Sequence, residues 1–161
     1  MTKIFLYTDG ACWGNPGVGG WAYVIKTKNV HENLLKEENG AVAYTTNNKM
    51  ELTAFIRGIE NVNLLLSNLD FNPSFLEIYS DSQYVIKGAT LWRKNWKKKN
   101  YINVKNTELW MKVDDLLDNF SLAYSIHWVK GHSGHEENER CDKLATMAIE
   151  EFLDLQKKRS M

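Results

Sequence analysis

Residues 3–9 hold the apolar run Ile4 to Tyr7, are rich in β-forming side chains, and stop at Asp9-Gly10, which predicts a strand. The stretch 13–20 is dense in glycine and turn residues, so it should return the chain into a second strand near residues 21–27. A third strand is expected somewhere in 31–45, where the pattern is weak. Asn47 or Asn48 should then cap a helix whose apolar positions Leu52, Phe55, Ile56, Ile59, Val62 and Leu66 share one face at a 3.6-residue period. Pro73-Ser74 precedes a fourth strand over 75–80, which again ends at an aspartate, Asp81. Short helical segments follow at 82–88 and 92–98, and Leu109, Val113, Leu116 and Leu117 support a helix over 107–119. Residues 121–129 read as a fifth strand. A loop over 130–136 leads into a last helix over about 137–155, with Cys141, Leu144, Ala145, Ala148 and Phe152 inward. Three antiparallel strands followed by alternating helices and strands describe one mixed α/β domain. It is expected to span 1–155, with 156–161 as a frayed, charged tail.

Composition changes this picture little. Hydrophobic residues make up 43% of the chain and charged residues 25%, an ordinary globular balance. No apolar run approaches the roughly 20 residues needed to span a bilayer, and the N-terminus lacks the layout of a signal peptide. Cys12 and Cys141 form no CxxC pair and suit free thiols in a reducing compartment, so a cytoplasmic setting is expected, with monomer as the default state.

Charge changes it more. The formal net charge is zero, yet residues 90–107 hold six basic side chains and no acid, while the rest of the chain holds 14 basic and 20 acidic ones. A local positive patch on an acidic body suits a protein that grips a polyanion in one place and gathers carboxylates in another.

Four of the 20 acids hold positions that could serve a site, though position does not single them out. Asp9 and Asp81 end strands, where a rigid scaffold presents functional groups. Glu51 and Asp142 lie near helix starts, and Glu51, four residues before Phe55, leans over the buried stripe. Singly, each has an ordinary reading. Glu51 could complete a capping box with Asn48, Asp142 could be a solvated helix residue, and the two strand-end aspartates could form turns. Together they could meet at one rim of the sheet. Carboxylates converging without a cation repel one another, and oxygen-only donors favour a hard divalent ion such as Mg²⁺; no Cys or His cluster offers zinc-binding spacing. A pair of such ions suits hydrolysis at phosphorus.

The segments Tyr7-Thr8-Asp9-Gly10-Ala11-Cys12-Trp13-Gly14-Asn15-Pro16-Gly17, Thr45-Thr46-Asn47-Asn48-Lys49-Met50-Glu51-Leu52, Tyr79-Ser80-Asp81-Ser82-Gln83-Tyr84-Val85, and Trp128 to His135 through Cys141-Asp142 resemble the successive motifs of type 1 ribonuclease H, in order and at compatible spacings, over about residues 2–152. A lone Thr-Asp-Gly would say little; four motifs together are highly specific. The resemblance implies a five-stranded mixed sheet flanked by helices, with Asp9, Glu51, Asp81 and Asp142 binding two Mg²⁺ ions, for which Mn²⁺ can substitute. The implied reaction is hydrolysis of the RNA strand of RNA–DNA hybrids, leaving 5′-phosphate and 3′-hydroxyl ends, in removal of primers or R-loops.

By the same resemblance His132, in a glycine-flanked loop, assists proton transfer or product release. His135 and Glu139 are weaker candidates, with capping an equal alternative. Asn15, Asn48 and Gln83, with backbone near Gly10 and Cys12, should touch the RNA strand. Trp92, Arg93, Trp96, Lys97 and Lys98 should meet the DNA strand, and Thr46 with Asn106 should hold a DNA phosphate. Many members carry an arginine where this chain has Tyr44, which puts the strength of that phosphate pocket in question. A hybrid-binding module without catalysis, or a DNA nuclease of related fold, is the alternative; four intact acids and the tryptophan-bearing basic segment favour the hybrid nuclease.

Overall fold

The computed structural model describes residues 2–28, 32–131 and 134–160. Its five-stranded sheet runs in the order β3-β2-β1-β4-β5, formed by β1 (Lys3–Trp13), β2 (Gly17–Lys28), β3 (Glu32–Thr45), β4 (Phe75–Ser80) and β5 (Ala123–Trp128). β1 pairs antiparallel with β2 and parallel with β4, and β4 pairs parallel with β5, so the sheet is mixed as expected. The helices are α1 (Asn47–Leu66), α2 (Gln83–Lys87), α3 (Arg93–Lys98), α4 (Thr107–Asp118) and α5 (Glu136–Arg159), with a π-helical turn, Gly88–Trp92, joining α2 to α3. Among the described residues no helix is long and apolar enough to cross a membrane.

Alternation along β1 sorts the two cores. Ile4 and Leu6 point to one face, where Phe55 and Ile59 of α1 and Trp110 and Val113 of α4 complete the larger cluster. Tyr7, with Phe5 at its margin, points to the other face, against Cys141, Leu144 and Ala145 of α5. A sheet covered on both faces lets β1 be buried along most of its length.

Three expectations need correction, and the third strand, expected within 31–45, is present there. The opening hairpin turns only at residues 14–16, so both strands extend into the stretch read as a turn. Its glycines serve packing: a Cβ on Gly20 would stand 2.2 Å from the carbonyl oxygen of Ala145, so α5 lies directly on the backbone of β2. α1 is capped by Thr46, whose hydroxyl accepts from the Lys49 amide at 3.2 Å, and not by Asn47 or Asn48. The long β3 escaped clear reading because it is an edge strand with mostly half-exposed side chains, including the charged run Lys36-Glu37-Glu38. Finally α5 continues through Arg159, and Lys157, Lys158 and Arg159 form its last turn, where cations favour the helix dipole.

The basic segment is more structural than its charge suggested. Arg93, expected to face the DNA strand, is buried. Its Nε donates to the Ala89 carbonyl at 2.8 Å, and its guanidinium donates to Asp114 at 3.1 Å and Asp118 at 2.7 Å. Lys97 also pairs with Asp118, at 3.0 Å, though it stays exposed. Trp96 packs edge-on against Trp110 at 5.1 Å and Trp92 leans on Trp96 at 5.7 Å, leaving Trp92 the more exposed of the pair. Trp92, Lys94, Lys97, Lys98 and Lys99 therefore form the outward face.

Removing Arg93 would leave the carboxylate of Asp114 buried without its cation. Arg93→Ala should cost about 3 kcal/mol in urea unfolding, while Lys98→Ala should stay within about 0.5 kcal/mol. Hydrogen bonding from Arg93, with Lys97 adding to it, holds the Asp118 carboxyl below its ordinary range. That contribution is full above about pH 4 and fades as pH falls through the lowered folded value, so the gap between wild type and Arg93→Ala should narrow in acid.

Candidate active site

The parallel register that sets Thr8 of β1 beside Ser80 of β4 brings the next residues, Asp9 and Asp81, to neighbouring positions at the same end of the sheet. Glu51 reaches them from the second turn of α1. One carboxylate oxygen from each of Asp9, Glu51 and Asp81 lies within 4.8 Å of the others. Asp142 of α5 lines the same cavity, of about 480 Å³.

Gly10 makes the close approach of α1 to β1 possible. A Cβ there would stand 2.4 Å from the Glu51 amide nitrogen. Its own N–H donates both to Asp9 at 2.9 Å and to Glu51 Oε1 at 2.8 Å. That second bond removes the capping-box alternative, since Glu51 turns toward the strand and not back along its helix. Glu51 Oε2 is buried and has no hydrogen-bond partner among the described residues.

Burial of these groups has an electrostatic consequence. Desolvation raises the Asp9 carboxyl well above the usual carboxylate range, and the charges of Glu51 and Asp81 raise it further. Glu51 is also raised, by burial first, with Asp81 and Asp142 adding and the Gly10 N–H opposing. An all-oxygen donor set with one orphaned buried oxygen fits a hard divalent cation.

Around the acids, Gly10, Cys12, Asn48 and Gln83 line the same cavity, so four of the five residues expected to touch the RNA strand gather there. Asn15, the fifth, accepts from the Asn47 amide at 2.9 Å and faces an adjoining cavity of about 560 Å³. Thr46 and Asn106, 60 positions apart in sequence, meet in this second cavity together with Lys49 and Lys105. Asn106 adopts a left-handed backbone with φ of 57° and donates to the Tyr84 hydroxyl at 3.1 Å, which fixes its side chain. Lys49 and Lys105 are cations that the motif reading passed over: Lys49 sat inside the second motif and Lys105 in the basic segment, but nothing in sequence spacing joins them. Tyr44 is 74% exposed.

His132 lies outside the described residues. His135 serves as the N-cap of α5, its Nδ1 accepting from the Asn138 amide at 3.3 Å. Glu139 accepts from the Gly134 amide at 3.2 Å, so both flank the loop in supporting positions.

The RNase H family profile matches residues 1–150. The ribonuclease H of Rhodopirellula baltica is 42% identical over 158 residues, covering 93% of this chain and 92% of that protein. The ribonuclease H of Hydrogenovibrio crunogenus is 43% identical over 157 residues, covering 94% and 99%. Among solved structures, LC11-RNase H1 in complex with RNA/DNA hybrid superposes with a TM-score of 0.70 at 26% identity, covering 93% of this chain and 99% of that one. A family match over nearly the whole chain, a shared mixed sheet and relatives above 40% identity agree, and the chain belongs to the RNase H family.

Proposed function

We propose that this protein is an endoribonuclease that hydrolyses the RNA strand of RNA–DNA hybrids, leaving 5′-phosphate and 3′-hydroxyl ends. The observation that carries the proposal is the convergence of Asp9, Glu51 and Asp81 within 4.8 Å, with no Lys or Arg among the described residues that line the cavity. Family membership and the hybrid bound by LC11-RNase H1 supply the substrate. Asp9, Glu51, Asp81 and Asp142 would hold two Mg²⁺ ions, or Mn²⁺ in their place. When bound, such a pair activates the attacking water and stabilises the leaving oxygen.

The protein's own groups do the rest. Gly10 holds Asp9 and Glu51 in place through its bifurcated N–H. Asn15, Asn48 and Gln83, with backbone at Gly10 and Cys12, recognise ribose 2′-hydroxyls, which neither a DNA duplex nor the DNA strand presents. The DNA strand meets Trp92, Trp96, Lys97 and Lys98, and one of its phosphates enters the cavity of Thr46 and Asn106. There Lys49 and Lys105 supply positive charge that Tyr44 does not. Arg93 is committed to Asp114 and Asp118 and takes no part. His132 assists proton transfer or product release. The enzyme acts as a monomer in the cytoplasm, in removal of RNA primers or R-loops.

The test is cleavage of one labelled RNA presented single-stranded, paired with RNA, or paired with DNA, with Mg²⁺ or EDTA. Cutting of the hybrid alone, only with Mg²⁺, is expected. Asp81→Asn should reduce it by more than the roughly 100-fold that loss of an outer-shell partner costs at a metal site. Binding of the hybrid without cutting would make this a recognition module.

Stability gives an independent readout. Without a cation, burial makes Asp9 and Glu51 of the folded state keep protons to higher pH than the unfolded chain does. The pair's contribution is thus most favourable below about pH 4 and worsens as pH rises toward the raised folded values. Asp9→Asn should raise the metal-free melting temperature near neutral pH, by about 2–4 °C for each kcal/mol relieved, and should blunt the further rise that Mg²⁺ gives the wild type. Calorimetry in EDTA and in Mg²⁺ checks both.

A further inference from the structure

Two cavities border the carboxylate cavity, one sharing Asn47 and Asn48 with it and the other sharing Gln83. One, toward Asn47 and Asn48, leads to Thr46 and Asn106. The other is smaller, about 220 Å³, and is lined by Gln83, Ile86, Lys87 and Trp128. Gln83 lines both the carboxylate cavity and this small one, so a single side chain borders the two. Nothing in the family motifs covers Ile86 or Lys87.

The geometry of this small pocket is built, with a rigid floor and a free cation. Trp128 ends β5, and its indole N–H donates to the Asp81 carbonyl at 3.0 Å. The next amide, Val129, donates to the Ser80 carbonyl at 2.9 Å, which extends the β4–β5 pairing under the ring. Trp128 nevertheless remains 46% exposed, an apolar surface fixed beside a catalytic acid. Gln83 and Lys87 lie four apart on α2, one turn and about 6 Å along the axis, on the same face. Lys87 is exposed and makes no ion pair among the described residues, whereas Arg93 and Lys97 are held by Asp114 and Asp118.

We propose that this pocket is a subsite for the sugar–phosphate unit of the RNA nucleotide next to the scissile one, with Trp128 as the floor for the ribose and Lys87 binding the phosphate. The assignment rests on the hybrid-nuclease reading and deepens it. A strand whose backbone crosses Asp9 and Asp81 must leave the cleft on the Gln83 side, and there it meets a flat apolar surface and then a cation one helical turn away. The volume admits one sugar–phosphate and not a base pair. Trp128 also has a positioning role, because its N–H steadies the backbone of Asp81, so its two functions must be separated.

The experiment uses hybrids with one DNA strand and RNA strands that stop at the nucleotide bordering the scissile phosphate, or extend one nucleotide further, on the 5′ or the 3′ side. Both hybrid binding without divalent cation and cleavage with Mg²⁺ are measured. For the wild type, extension on one side should improve binding and KM by roughly 5- to 10-fold. Lys87→Gln should abolish most of that gain and lessen the salt dependence of binding by about one phosphate contact. Trp128→Ala should also abolish the gain. Trp128→Phe, which keeps a ring but loses the N–H, should retain the gain while lowering kcat. Variants that weaken extended and truncated hybrids equally, or a wild type indifferent to extension on both sides, would overturn the subsite. A wild type that cuts hybrids but ignores extension leaves the hydrolytic reading standing and the subsite refuted. One that gains from extension in binding yet cuts nothing does the reverse.

Discussion

Carboxylates set within 4.8 Å of one another in a buried cleft repel strongly, and the fold around Asp9, Glu51 and Asp81 exists to hold them there. Each comes from a different element, so none can relax away without disturbing a core. Asp9 sits on the central strand, paired on both sides. Asp81 follows the strand parallel to it, and Glu51 is fixed by a helix whose apolar stripe covers the larger core. The Gly10 amide, donating to two carboxylates at once, offsets part of the repulsion; Glu51 Oε2, without a hydrogen-bond partner among the described residues, is left for a cation.

The remaining charges are arranged with respect to that acidic centre. Among the described residues, Lys and Arg do not line the carboxylate cavity itself and stand further out. Lys49 and Lys105 lie beyond Asn47 and Asn48, and Lys87 lies beyond Gln83. A polyanion can then be held at its flanking phosphates while the phosphate between them faces only oxygen ligands. Cations inside the cleft would pair with the acids and compete with a divalent ion for them.

The basic segment shows a second use of charge. Arg93 and Lys97 share Asp118, and Arg93 with Tyr101 also engages Asp114, which ties the helical turns of the protrusion to α4. Trp96 against Trp110 adds an apolar contact to the same junction. Part of what looks like a nucleic-acid patch is therefore the device that anchors it. The lysines left outside this network, Lys94, Lys98 and Lys99, share the exposed cationic surface with Lys97.

Local pattern alone determined the elements and their kind: the strand of residues 75–80, the apolar face of α1 and the helix of α4 depend on periods of two and 3.6 that neighbouring residues express. The four motifs likewise made the family and the four acids legible, because each is a contiguous run. What only the tertiary structure decided were contacts between distant segments. Gly19 and Gly20 looked like a turn because sequence cannot show that Thr45 and Met50 crowd the first and that α5 lies on the backbone of the second. Thr46 displaced Asn47 and Asn48 as the cap because the Asn47 amide is already taken by Asn15, 32 positions away. Arg93 looked like a phosphate ligand because Asp114 and Asp118, its partners, lie 21 and 25 positions further on. A cation's role depends on which acid it meets, and that meeting is set by packing across the fold.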